Sequence, residues 1–97
     1  MLKSLAAVIG LATIAVAGVV AAEPPAGAVS CSGCHPSSAR VASPVVRLNG
    51  VDRAAIVRAM QEFRSGQRTG TVMDRIAKGF TDDEIRAIAA WYAAQKD

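Results

Sequence analysis

The stretch Cys31-Ser32-Gly33-Cys34-His35 decides the fold of this chain. Two thiols three positions apart, followed directly by an imidazole, form the C-x-x-C-H pattern of covalent haem attachment. On one helical turn the thiols reach the two vinyl groups along one edge of a porphyrin, and the imidazole lies beneath the iron. The stretch therefore predicts one haem c, covalently bound through Cys31 and Cys34, with His35 as the proximal iron ligand.

Two other uses of this stretch are weaker. A thioredoxin-like dithiol belongs to a chain in which strands and helices alternate, and the sequence has no such pattern. A tetrahedral zinc site needs four ligands. The chain has two Cys and one His, so only carboxylates remain to complete such a site.

The first 22 residues have the pattern of an export signal. A short basic head precedes a long uncharged stretch, which ends in small residues before Pro24. We predict a signal peptide over residues 1–22, with cleavage after Ala22 or, alternatively, after Ala17. About eighteen uncharged residues are also just long enough to span a bilayer, so an uncleaved anchor is the competing interpretation.

The expected mature domain, residues 23–97, has a charge that identifies no partner. The formal net charge of +3 includes Lys3, so residues 23–97 carry +2, and two haem propionates bring this close to neutral. The basic residues are dispersed, so we expect no nucleic-acid partner. We expect the bacterial periplasm, where c-type haem is attached, and no membrane contact unless the N-terminal segment is retained.

The sequence predicts an all-α fold with three main helices around the haem. The predicted elements follow the chain in this order: a haem-motif helix over 26–34, a loop over 36–50, a helix over about 51–64 that stops at Gly66, one or two turns within 72–78, and a last helix that starts with a capping box over 81–84 and frays near Gln95. The last helix is expected to bury Ile85, Ile88, Ala89 and Tyr92.

The iron needs a second axial ligand or keeps an open site, and the chain has no second histidine, so Met60 and Met73 are the candidate ligands apart from the initiator Met1. Met60 lies with Ile56 and Phe63 at helical spacing, which favours a place in the core. Met73 follows a polar, glycine-containing loop that can bring its side chain over a haem face. We predict Met73. Thioether ligation favours ferrous iron, and a six-coordinate iron passes single electrons without binding a substrate.

The proximal imidazole also needs an acceptor for its Nδ1 proton. Pro44, in the loop that passes beneath the haem, is the candidate through its backbone carbonyl. An ordinary proline that stiffens the loop is an equally good interpretation.

With these residues placed, the chain resembles the class I cytochromes c. Six residues stand in that family's order: Cys31, Cys34, His35, Pro44, Met73 and Trp91. The resemblance implies that Trp91 packs where the first and last helices cross. Residues 62–66 and 71–80 also resemble the haem subunit of flavocytochrome c sulfide dehydrogenase, whereas residues 36–40 depart from the Gly-rich segment usual in that family.

Three functions follow. The narrower resemblance implies a haem subunit, not catalytic alone, that accepts electrons from a sulfide-oxidising, FAD-containing flavoprotein subunit; another periplasmic redox protein is the alternative partner. A free periplasmic electron shuttle is the second, and a dithiol–disulfide oxidoreductase the third. A permanent subunit needs a large apolar surface near the haem, whereas a shuttle has a small contact with a charged rim. Four basic residues bracket Met73 and either form such a rim, contact the propionates or are simply solvated: Arg64, Arg68, Arg75 and Lys78.

Overall fold

The computed structural model describes residues 2–16, 18 and 23–96. Within these residues the chain is helical and contains no strand, which confirms the all-α prediction. The four helices are α1 (Ala28–Cys31), α2 (Arg53–Ser65), α3 (Met73–Ala77) and α4 (Asp82–Ala93). Two of them, α2 and α4, are long, whereas α1 and α3 are about one turn each.

The described part of the N-terminal segment, residues 2–16 and 18, adds no regular element to this fold. These residues form neither helix nor strand. Both predicted cleavage positions, Ala17 and Ala22, lie outside the described residues. Over the part of the chain that the structure describes, no helix has the length and apolar character needed to cross a bilayer.

Helix α1 is shorter than the predicted helix over 26–34, and Gly27 explains its start. Gly27 has a positive φ of 85°, so the backbone turns into the helix only after it. A Cβ at this position would lie 2.6 Å from Cε1 of Phe80, so the close approach also requires glycine. Beyond Cys31 the chain continues in turns, and the backbone N–H of His35 donates to the Cys31 carbonyl at 2.9 Å.

Helix α2 begins two residues later than predicted because Asp52 caps it. The Asp52 carboxylate accepts a hydrogen bond from the backbone N–H of Ala55 at 3.0 Å. The helix ends at Ser65, and Gly66 follows in the left-handed conformation with φ of 83°. The predicted stop at Gly66 is confirmed.

Helix α4 begins with the predicted capping box. The Thr81 hydroxyl accepts from the backbone N–H of Glu84 at 3.2 Å, and the Glu84 carboxylate accepts from the N–H of Thr81 at 3.0 Å. The helix ends at Ala93, where the Gln95 side chain donates to the carbonyl of Trp91. All four residues expected in its buried stripe are buried.

The core is small and lies where α4 meets α1 and α2. Helix α4 packs against α1 and α2, and α2 also packs against α3. The buried apolar residues among those described are Ala28, Ile56, Ala77, Ile85, Ile88, Ala89 and Tyr92. Within the described ranges, only Tyr92 and Ile85 are both large and fully buried. The motif segment and Met73 therefore lie on elements that border a thin core.

Candidate functional site

The two cysteines lie on one turn at the end of α1. Cys31 is the last residue of the helix and packs, half-buried, against the core, whereas Cys34 is exposed. The backbone N–H of Cys34 donates to the Cys31 carbonyl at 3.2 Å. Burial raises the pKa of the Cys31 thiol. Both are free thiols, so each is available to form a thioether bond.

Tyr92 of α4 holds this turn from the core side. Its hydroxyl donates to the carbonyl of Ala28 at 2.5 Å and accepts a hydrogen bond from the Ser32 hydroxyl at 2.8 Å. Burial raises the pKa of the Tyr92 hydroxyl. Sequence reasoning placed Tyr92 in the buried stripe but missed its contact with the motif. The sequence did offer one indication of this contact, because the hydroxyl of a tyrosine predicted to be buried needs a hydrogen-bond partner.

Trp91 lies beside this contact. Its ring meets that of Tyr92 edge to face, with the ring centroids 5.0 Å apart, and it packs half-buried against the core. The family resemblance implied that Trp91 packs where the first and last helices cross. The hydrogen bonds between these two parts of the chain are made by the next residue, Tyr92.

His35 is half-buried, and its orientation is set by a carbonyl in the following loop. Its Nδ1 lies 2.5 Å from the backbone oxygen of Val46. The predicted acceptor, the carbonyl of Pro44, is therefore wrong, and Pro44 itself is exposed. Every residue has a backbone carbonyl, so the path of the loop, rather than the position of a proline, decides which oxygen reaches the imidazole.

This donor set fits a covalently bound haem. Two thiols lie on one turn, and the imidazole follows them directly. Because Nδ1 of His35 is engaged by Val46, its Nε2 is the nitrogen left to bind a metal. The arrangement can attach a porphyrin by one edge and supply one axial nitrogen.

The two candidate methionines differ in their surroundings. Met60, on α2, packs against the core cluster, as expected for a core residue. Met73 is the first residue of α3 and is half-buried. It is not among the residues packed against that cluster.

Two of the four basic residues near Met73 have intramolecular partners. Arg64 donates to the carbonyl of Phe80 at 3.2 Å and forms an ion pair with Asp82. Arg68 forms an ion pair with Glu62 at 2.8 Å. The remaining two, Arg75 and Lys78, are exposed. Arg68 is also exposed despite its ion pair, so three of the four basic side chains of the suggested rim face solvent.

Comparison with known proteins identifies c-type cytochromes, although no family model matches the chain. The cytochrome subunit of sulfide dehydrogenase from Chlorobaculum tepidum is 39% identical over 64 residues, which is 66% of this chain and 58% of that protein. A thiosulfate dehydrogenase electron acceptor from Stutzerimonas stutzeri is 35% identical over 65 residues, which is 65% of this chain and 30% of that protein. The chain thus spans just over half of the first relative and about a third of the second.

A third relative is covered over most of its length. Cytochrome c-554(548) from Halomonas halodenitrificans is 30% identical over 71 residues, which is 69% of this chain and 86% of that protein. Together with the C-x-x-C-H turn and the oriented imidazole, these similarities show that the chain belongs to the cytochrome c family.

Proposed function

We propose that this chain is a periplasmic cytochrome that transfers single electrons through one haem c. Cys31 and Cys34 would hold the haem covalently, and His35 and Met73 would ligate its iron. The functional domain is residues 23–97, and residues 1–22 direct export. The observation that supports this most directly is the geometry of the motif, with both thiols on one turn and the imidazole fixed by Val46.

Each residue has a distinct part in this site. When bound, the haem iron supplies one-electron exchange between its ferric and ferrous states. The bond from Nδ1 of His35 to Val46 fixes the ring and makes Nε2 a stronger donor. The thioether of Met73 favours the ferrous state and so raises the reduction potential. Tyr92, through its hydrogen bond with Ser32, keeps the turn that carries Cys31 and Cys34 against α4; we call this turn the attachment turn.

The choice of Met73 over Met60 is supported by what each side chain does in the fold. Met60 contributes to the core between α2 and its neighbours, and withdrawing it would leave a cavity. Met73 begins a short helix and follows a loop that contains Gly70. The Met73 side chain can therefore reach the haem iron without removing a contact from the core.

Expression in a host with the c-type haem maturation system tests the proposal. Wild-type protein should retain its pigment after acid-acetone extraction, and the Cys31→Ala/Cys34→Ala variant should not. The methionine-to-ferric-iron charge-transfer band should vanish in Met73→Ala and persist in Met60→Ala. Loss of the band in Met60→Ala alone would assign the ligand to Met60 instead.

The physiological partner that we propose is an FAD-containing flavoprotein that oxidises sulfide. Similarity to a protein named as the cytochrome subunit of sulfide dehydrogenase supports this choice. Apolar side chains are also exposed close to both ligand positions, as a permanent interface requires. Val45 and Val46 lie in the loop that binds His35, and Val72 and Ile76 flank Met73 along the chain.

A free electron shuttle is the second candidate. It is favoured by cytochrome c-554(548), which this chain covers over 86% of its length and whose name mentions no partner subunit. Purification of the native protein separates the two functions. A species containing one flavoprotein per cytochrome indicates a permanent subunit, whereas a monomer that retains its haem indicates a shuttle.

A further inference from the structure

The segment that carries Met73 is held at both of its ends by three consecutive residues of α2. We call Glu62, Phe63 and Arg64 the α2 anchor. From these contacts we infer that the α2 anchor positions Met73 over the haem and sets how firmly its sulfur stays on the iron. This inference rests on the proposed function, because it takes Met73 to be an axial ligand.

Glu62 holds the loop that leads into Met73. Its carboxylate oxygen accepts from Nε of Arg68 at 2.9 Å and contacts NH2 of the same guanidinium at 2.8 Å. Its backbone carbonyl accepts from the N–H of Arg68 at 3.1 Å. Three contacts therefore fold the loop back onto the last turn of α2, five residues before Met73.

The ring of Phe63 contacts the same loop at Arg68 and Gly70. The Arg68 guanidinium lies 5.4 Å from the centre of its ring, within the range of a cation–π contact. A Cβ on Gly70 would lie 2.9 Å from Cε1 of Phe63 and 3.4 Å from Cβ of Met73. Only a residue without a side chain lets the loop pass this close to the ring while α3 begins immediately afterwards.

Arg64 holds the other end of the segment. It donates from NH1 to the carbonyl of Phe80 and pairs through NH2 with Asp82, the first residue of α4. Its side chain is about one-third exposed, so water screens this pair only in part. With both ends fixed, α3 has a defined position relative to α2.

These contacts predict how well exogenous imidazole competes with Met73 for the ferric iron. Exogenous imidazole binds the ferric iron only after Met73 has left it, so its apparent affinity reports the fraction of molecules in which Met73 is detached. Weakening the α2 anchor raises that fraction. The test titrates imidazole into the ferric holoprotein and follows the disappearance of the methionine-to-iron band.

Two variants remove charged contacts of the α2 anchor, and one control removes a comparable pair elsewhere. Glu62→Gln removes the ion pair with Arg68, and Arg64→Met removes both side-chain contacts of Arg64 while keeping an apolar stem. Each is expected to lower the apparent Kd for imidazole about three- to tenfold. Arg86→Met breaks only the exposed pair with Asp83 on α4, and its Kd should stay within twofold of wild type.

Gly70→Ala gives a test that changes no charge. The added methyl group must displace the Phe63 ring or the loop, so the apparent Kd should fall here as well. Haem content and helical circular dichroism are measured in every variant. An unchanged Kd in Glu62→Gln, Arg64→Met and Gly70→Ala alike, or an equal fall in Arg86→Met, would overturn the inference.

Repeating the substitutions in a Met73→Ala background separates this inference from the proposed function. With no sulfur to displace, Glu62→Gln and Arg64→Met should change imidazole binding less than twofold. A persistent threefold effect would show that the α2 anchor does not act through Met73. If Met73→Ala alone neither removes the band nor tightens imidazole binding, the axial-ligand assignment itself is wrong.

Discussion

The hydroxyl of Tyr92 lies 2.8 Å from the hydroxyl of Ser32, 60 residues earlier in the chain and between the two motif cysteines. The same Tyr92 hydroxyl donates to the carbonyl of Ala28, a residue with no exposed surface. One buried side chain of the last helix therefore fixes both the start of α1 and the turn that follows it. The attachment turn depends on the C-terminal helix for its position.

Removing the Tyr92 hydroxyl should destabilise the protein. In Tyr92→Phe the buried Ala28 carbonyl loses the hydrogen bond from the Tyr92 hydroxyl, and the Ser32 hydroxyl loses its acceptor. We therefore expect the unfolding free energy to fall by about 1–3 kcal/mol. Ser32→Ala is the matched control, because it removes only the outer bond and should lose about 1 kcal/mol or less. Urea denaturation of the two holoproteins measures the difference. Equal losses in both would contradict the importance of the inner bond.

Gly27 and Gly66 allow strain and crowding to be measured separately. Both have positive φ, so alanine at either position should lose about 1–2 kcal/mol from backbone strain. At Gly66 the new Cβ meets nothing within 4 Å, whereas at Gly27 it would approach the Phe80 ring to 2.6 Å. We therefore expect Gly27→Ala to lower the melting temperature clearly more than Gly66→Ala. Similar melting temperatures would show that the Phe80 ring adapts without cost.

Glu84 should contribute to acid unfolding. Its hydrogen bonds with Thr81, chiefly the one from the backbone N–H, lower the pKa of this exposed carboxyl in the folded chain. The stabilisation is fully present above the unfolded-state pKa and is lost as pH falls, from below about pH 5, through the folded value. Glu84→Gln should therefore show a shallower loss of unfolding free energy over this range. The check is urea denaturation at several pH values, and parallel curves for the two proteins would count against it.

Haem attachment should be required for stable folding. Among the described residues only Tyr92 and Ile85 are large and fully buried, and a chain of this size has little core to offset its conformational entropy. We expect the Cys31→Ala/Cys34→Ala chain to be largely unfolded without haem. Well-dispersed NMR spectra of that variant would disprove this.

Pro44 should be replaceable. The acceptor for His35 is the carbonyl of Val46, so Pro44→Ala should leave the haem spectrum and the reduction potential unchanged. Its effect on unfolding free energy should stay below about 1 kcal/mol, which is typical of a more flexible exposed loop. A shift in reduction potential would show that Pro44 acts on the proximal ligand after all.

Helix ends that are set by residues close together in the sequence could be predicted from the sequence. Thr81 and Glu84 bond to each other over three residues, and Gly66 adopts the conformation that stops a helix, so both were predictable. Asp52 is the same kind of local signal at the start of α2, because its carboxylate caps that helix. The family and the motif were likewise recognisable, because C-x-x-C-H is a contiguous pattern.

Contacts between distant parts of the chain could not be predicted in the same way. The choice of Val46 over Pro44 depends on the path of a loop without regular structure, which no residue type fixes. The bond between Tyr92 and Ser32 depends on how α4 crosses α1. The contact between Phe63 and Gly70 depends on a close approach that appears only once the loop is folded.

The two segments that carry the proposed iron ligands are supported by different helices, the turn with His35 by α4 through Tyr92 and the Met73 segment by α2 through its last turn. Substitutions in one support can therefore be selected with little effect on the other. If Met73 ligates the iron, such a division would let a lineage adjust its electron affinity through the sulfur side while the step that joins the pigment to the polypeptide stays intact.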